Sequence, residues 1–167
     1  MKAIDHAALV KRARSWLVNH RGCSVVVSEV VSGREVADVI GFSYTSTLIE
    51  CKATRSDFLA DQKKSFRRIP ELGMGSLRYY ATPKDMISPE EMPPGWGLLE
   101  TTGRALAEVK KSERHEVDHR AELSLLISLL RRVGVGGPLA TIKVYKFPSP
   151  KEPRGILIMQ DTVEEEK

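Results

Sequence analysis

A chain of 167 residues with 41% hydrophobic and 29% charged residues can bury one sizeable core, which excludes a largely disordered polymer and leaves little room for two independent domains. Its formal charge of +4 favours a polyanionic partner, and no run of about 18 apolar residues is present to span a membrane. The N-terminal stretch MKAIDHAALVKRARSWLV is charged throughout and lacks the apolar centre of a signal peptide. Cys23 and Cys51 lack metal-ligand spacing and read as buried free thiols. A cytoplasmic protein is expected, in a bacterial cell or in a host cell if phage-encoded.

Residues 3–19 have helical periodicity, with Ile4, Ala8, Ala13 and Leu17 against Lys11, Arg12 and Arg14. From Cys23 the period changes to that of strands. CSVVVSEVV, EVADVIGF and TLIECKAT, separated by SG and SYTST, predict three strands in an antiparallel meander. Ser56 or Asp57 then caps a helix, DFLADQKKSFRRI, which Pro70 stops. LRYYATP, 77–83, predicts a fourth strand, parallel to the third across this helical crossover. The segment 83–94 reads as a loop with one short helical turn, and GLLETT and ALAEVKK as a hairpin. Residues 117–132 predict a second long helix, apolar almost all round and therefore buried. ATIKVYKF and RGILIMQ, joined by PSPKEP, predict a C-terminal β-ribbon before an acidic tail. The expected division is a main α/β domain over 1–133, a hairpin extension over 134–160 packed on the same domain, and a flexible acidic tail over 161–167.

Within the third strand, Glu50 and Lys52 are two positions apart and leave an extended chain on one face, while Cys51 points the other way into the core. Asp38 lies on the preceding strand, eleven residues separate it from Glu50, and a turn near 43–46 folds the two carboxylates toward each other. Buried carboxylates held together repel unless a cation joins them. Mg²⁺, with Mn²⁺ able to substitute, is the expected cofactor, held by Asp38, Glu50 and the Cys51 backbone carbonyl. Lys52 would position or help deprotonate the attacking water and offset charge on a phosphoryl transition state. Glu29 interrupts an apolar strand and is the expected third acid, as metal ligand or water-orienting group. The competing structural account makes Glu50 and Lys52 a salt bridge on an exposed sheet face.

Asp38 followed by Glu50-Cys51-Lys52 resembles the D…ExK signature of the PD-(D/E)XK nuclease superfamily. The order helix, three strands, helix, strand over about residues 1–110 is similar to that family's core. The stretches REVAD, ECKAT, SDFLAD and LRYYATP resemble the MmcB-like DNA repair group or related phage nucleases. The resemblance implies a restriction-endonuclease-like fold, a mixed central β-sheet flanked by helices, and metal-dependent hydrolysis of DNA phosphodiesters in repair, recombination or phage DNA processing. The alternative is a DNA-binding or structural protein that keeps the fold without cleavage. Ala37 stands where the family name has proline. An additional acid is often carried on the first helix, where only Asp5 is available. The helix after the motif is implied to border the site, where Gln62 or Lys64 would touch the scissile phosphate or the orienting carboxylate. On that helix Asp57, Asp61, Lys64 and Arg68, spaced four, three and four apart, share one face, which ordinary intrahelical pairing explains equally well.

Contacts to the DNA backbone are expected from Arg34, Lys63, Lys64, Arg67, Arg68 and Arg78, with Tyr80 as a base-stacking candidate. Cleavage of both strands would need two sites, which points to a homodimer. The glycines form no phosphate-cradling loop, so no nucleotide cofactor is expected.

Overall fold

The structure is a computed structural model and describes residues 4–32, 35–134 and 145–146. Helix α1, His6–Asn19, starts where Asp5 accepts a hydrogen bond from the Ala8 amide and ends on a Trp16 carbonyl. Its buried Leu9, Ala13, Trp16 and Leu17 cover one face of a mixed β-sheet. The meander is formed by β1 (Val25–Ser32), β2 (Glu35–Phe42) and β3 (Ser46–Cys51), in antiparallel register with Val27 opposite Ile40 and Val39 opposite Ile49. Their β-branched residues fill both sides of the sheet, which is why β3 is buried along its whole length.

A helical crossover leads to β4 (Leu77–Thr82), which runs parallel to β3. The next strand, β5 (Gly97–Thr102), is parallel to β4 and turns into an antiparallel hairpin with β6 (Ala105–Lys110). Helix α4, His119–Gly134, follows. The last described strand, β7 (Tyr145–Lys146), pairs with the start of β1, so the sheet order is β6-β5-β4-β3-β2-β1-β7. Two apolar clusters line the two faces. One joins α1 to Val26, Val39, Ile49, Cys51, Tyr79 and Leu99; the other joins Ile40, Leu48, Phe58, Tyr80, Trp96 and Leu98 to Leu125 and Leu129 of α4. Cys23 and Cys51 are buried and free, and burial raises the Cys23 thiol to about 11. No helix among the described residues is long and apolar enough to cross a membrane.

The structure departs from the sequence expectation in two helices. The continuous helix expected after β3 is two short ones, α2 (Arg55–Asp61) and α3 (Ser65–Arg68), and the N-cap is Thr54, whose hydroxyl accepts from the Asp57 amide. The break at 62–64 removes the common face on which Asp57, Asp61, Lys64 and Arg68 would have stood. Helix α4 is apolar on more than its packed side: Leu125 and Leu129 are buried, but Leu123, Ile127 and Leu130 are exposed. The expected RGILIMQ strand, the acidic tail and Arg34 lie outside the described residues.

Candidate active site

The site forms at the carboxyl ends of β3 and β4, where the ladder gives way to loops. The register of β2 on β3 carries Asp38 opposite Glu50, one step beyond the last paired residues, Val39 and Ile49. There the Asp38 side chain takes over from the ladder: its Oδ2 accepts the Cys51 amide at 2.8 Å. The Lys52 amide instead bonds the Ala81 carbonyl on β4. Alternation on β2 slips at this point, since Ala37 and Val39 pack into opposite apolar clusters. Glu29, across from Asp38 on β1, adopts φ +56°, a left-handed conformation uncommon outside glycine.

Lys52 Nζ lies 2.9 Å from Glu50 Oε2, 3.3 Å from Asp61 Oδ1 and 3.6 Å from Asp38 Oδ2. The three acids come from β3, α2 and β2, so one ammonium ties three elements together. Glu50 is 1% exposed, which rejects the account of Glu50 and Lys52 as a surface salt bridge. Burial by itself would lower the Lys52 pKa, but the fields of Glu50, Asp38 and Asp61 outweigh it and raise the pKa well above that of an ordinary lysine. The three carboxylates thus favour the ammonium form of this side chain. Burial raises Glu50 above the usual carboxylate range, against the opposing charges of Arg67 and Lys52.

Two residues complete the cluster: Asp61, read from the sequence as one of a charged stripe on the following helix, and His6, not singled out as a site residue. Asp61, the last residue of α2, is 3% exposed. It accepts from Arg67 Nε at 2.7 Å and from the Tyr80 hydroxyl at 2.8 Å, and pairs with Lys64 Nζ at 2.6 Å. Burial alone would raise its pKa, but the Arg67 hydrogen bond and charge, with Lys52 and Lys64, hold it well below the usual range. His6, at the start of α1, sets Nδ1 3.2 Å from the Cys51 carbonyl and Nε2 3.7 Å from Asp38 Oδ1. Its side chain is 47% exposed, so it stands at the mouth of the site.

Arg67, expected on the DNA surface, is instead buried inside the cluster: it pairs with Asp61, lies 5.0 Å over the Trp96 ring, and brings Nη2 to 2.9 Å from Glu50 Oε1. That last contact is an ion pair without hydrogen-bond alignment, and the buried Glu50 Oε1 has no hydrogen-bond partner. Tyr80 is fully buried, stacked on Trp96 with centroids 4.7 Å apart and bonded to Asp61, which removes it as a base-stacking platform. Arg78 is also buried and donates to the carbonyls of Gly73, Gly75 and Glu116; it fastens the loop before β4 to the segment before α4 and offers nothing to a phosphate. Gln62 donates to the Glu91 carbonyl, away from the acids. Glu29 is exposed, and no contact among the described residues joins it to the cluster. Asp5 is the α1 cap. Lys63 and Lys64 remain at the surface beside the site; Arg68 ends α3.

Three carboxylates thus face three cations, Lys52, Lys64 and Arg67. Among the described residues no three His, Cys, Asp or Glu side chains stand grouped as a metal-ligand set. The donors nearest to such a set are Asp38, Glu50 and the Cys51 carbonyl. Glu50 Oε1 is a buried anionic oxygen whose hydrogen-bonding capacity is unmet, and Asp38 Oδ1 and the Cys51 carbonyl both lie against exposed His6. Hard oxygens of this kind suit Mg²⁺ or Mn²⁺.

No protein-family model matches the chain, and no curated protein matches it significantly. Among solved structures, the SPO1766 protein of unknown function from Silicibacter pomeroyi is similar with a TM-score of 0.60, covering 80% of this chain and 91% of that one at 21% identity. A likeness at that identity extends to the fold alone.

Proposed function

We propose that this chain is a metal-dependent deoxyribonuclease that hydrolyses phosphodiester bonds on a restriction-endonuclease-like core. The observation that carries this reading is the meeting of Asp38 and Glu50 from neighbouring strands at a single lysine ammonium, with the Cys51 amide on Asp38 and the Cys51 carbonyl against the His6 ring that also approaches Asp38. A mixed sheet whose antiparallel meander feeds a parallel β3–β4 crossover supports the same reading.

Asp38, Glu50 and the Cys51 carbonyl would hold Mg²⁺ or Mn²⁺. When bound, the ion supplies positive charge at the phosphoryl oxygens and lowers the pKa of water. The chain's own residues do the rest. The Cys51 amide holds Asp38 Oδ2 and so leaves Oδ1 directed to the mouth. The Lys52 ammonium offers a fixed cation to the negative charge that builds on the phosphoryl group, in a setting where burial strengthens its field. Exposed Lys63, with Lys64 at the edge of the cluster, would meet the adjacent phosphates.

A second reading, a DNA-binding protein without cleavage, draws on one specific observation: every carboxylate of the cluster is already paired with a cation of the chain. Linear, nicked, branched and single-stranded DNA incubated with wild type and Glu50→Ala, with Mg²⁺ or Mn²⁺ and with chelator, separates the two. The nuclease reading expects cleavage by wild type that chelator and the substitution both abolish. DNA binding with no metal-dependent cleavage on any substrate would leave the second reading.

A further inference from the structure

We propose that Asp61 is a positioning residue that holds the Lys52 ammonium in place, with Tyr80 and Arg67 fixing Asp61 in turn. The catalytic consequence rests on the nuclease reading above; the positioning itself does not.

Asp61 occupies a place that local physics disfavours twice. It ends α2, where the helix dipole presents negative charge to a carboxylate, and it is almost completely buried. Such a conflict persists where the surrounding structure offsets it, and here the offset comes from donors on three elements. Arg67 of α3 donates through Nε, Tyr80 of β4 through its hydroxyl, Lys64 at the α3 N-cap pairs with Oδ1 at 2.6 Å, and Lys52, just past β3, approaches the same Oδ1 at 3.3 Å. Arg67 and Lys64 join α3 and its N-cap to the end of α2. The Tyr80 hydroxyl and the Lys52 ammonium instead reach Asp61 from the sheet.

Lys52 needs such a partner. Its long stem carries about 2 kcal/mol of rotamer entropy, and with Glu50 and Asp38 alone the ammonium would be held only by the two carboxylates proposed for the metal. A third acid on the helix side fixes the nitrogen between the three. Asp61 is itself held from two directions, by an aromatic hydroxyl whose ring is stacked on Trp96 and by a guanidinium over the same ring. The position of the ammonium is thereby referred to the rigid sheet and not to the short helix α2.

The test compares wild type with Asp61→Asn, which keeps the shape and removes the charge, after circular dichroism and urea titration establish that each is folded. The ammonium resonance of Lys52, identified by its loss in Lys52→Ala, should be sharp in wild type and shifted or broadened away in Asp61→Asn. On cleavable DNA the variant should lose about 10- to 100-fold in kcat, as expected for a partner that acts through another group, with KM changed by less than about threefold. In a Lys52→Ala background the same substitution should cost less than about threefold, because its effect passes through the lysine. A folded Asp61→Asn with an unchanged Lys52 resonance, or with its full kcat loss retained in the Lys52→Ala background, overturns the proposal. Should Asp61→Asn not fold, Tyr80→Phe removes one of the two groups that fix Asp61: a smaller displacement of the same resonance is expected, and none would overturn the proposal. If wild type cleaves no DNA, the nuclease reading fails while the resonance still decides the positioning.

Discussion

Arg67 is the side chain on which the cluster's stability depends most. It is the buried counter-charge to both Glu50 and Asp61, and removing one partner of a buried ion pair leaves the other uncompensated, at a cost of about 3–5 kcal/mol. Arg67→Met should therefore lower the urea-unfolding free energy by about that amount, whereas Lys63→Ala, at an exposed position, should stay within about 0.5 kcal/mol. Asp61 makes this stability depend on pH. Its pKa is lowered in the folded chain, so between the folded and unfolded values the unfolded chain binds more protons and stability rises with pH. The contribution is complete above the ordinary aspartate range and is lost as pH falls through the folded pKa. The advantage of wild type over Asp61→Asn should shrink when unfolding is followed from pH 5 down to pH 2, and an advantage constant across that range would contradict the assignment. Lys52 has the opposite sign: its raised pKa gives stability that is complete below an ordinary lysine's pKa and is lost only as pH rises through the folded value.

Among the elements, α4 offers the sharpest test of how the layers pack. Leu125 reaches the second apolar cluster, while Leu130, 71% exposed, does not. Leu125→Ala should cost about 2–5 kcal/mol, and Leu130→Ala about 0.5 kcal/mol or less; equal losses in thermal or urea unfolding would mean that α4 packs differently. At the start of β5, a Cβ on Gly97 would stand 2.4 Å from the Tyr79 ring and 2.7 Å from the Lys110 carbonyl. The ring is anchored by its hydroxyl to Glu108 and the carbonyl is backbone, so neither yields easily. Gly97→Ala should destabilise by about 3 kcal/mol or fail to fold. The strands and the α1 and α4 helices were legible because their apolar residues keep one period each, and the meander register brought Asp38, Glu50 and Lys52 together from spacing alone. The break between α2 and α3 was not legible: no Gly or Pro interrupts 55–69, and Lys64, at the α3 N-cap, makes no side-chain cap bond. Since the break is what turns Arg67 inward, Arg67 read as surface charge and Asp61 as half of an intrahelical pair. His6 was hidden for a different reason, because its approach to Cys51 depends on where α1 crosses the sheet, a tertiary fact with no local signal. The hint that was available is chemical: an acid at a helix end, followed by four basic residues within seven positions, is a place to look for a buried pair.

For the molecule as a whole, the distribution of charge supports a negatively charged substrate at one end of the sheet. The cluster is closed by the chain's own cations, with His6 at its mouth and Lys63 and Lys64 beside it. Under the proposed nuclease reading, a DNA phosphate arriving there would meet the Lys52 ammonium, and Asp38 and Glu50 would hold the divalent ion. The fold shared with the SPO1766 protein provides the frame, and the proposed function rests on the cluster of Asp38, Glu50, Lys52 and Asp61 that this frame carries. The measurement that tests this most directly is the rate of cleavage of end-labelled DNA by wild type and by folded Lys52→Met, each with Mn²⁺ or Mg²⁺ and with chelator. Cleavage by wild type that requires the metal and falls at least about 100-fold in Lys52→Met is the predicted result; equal cleavage by both proteins, or none by wild type in either metal, would contradict it.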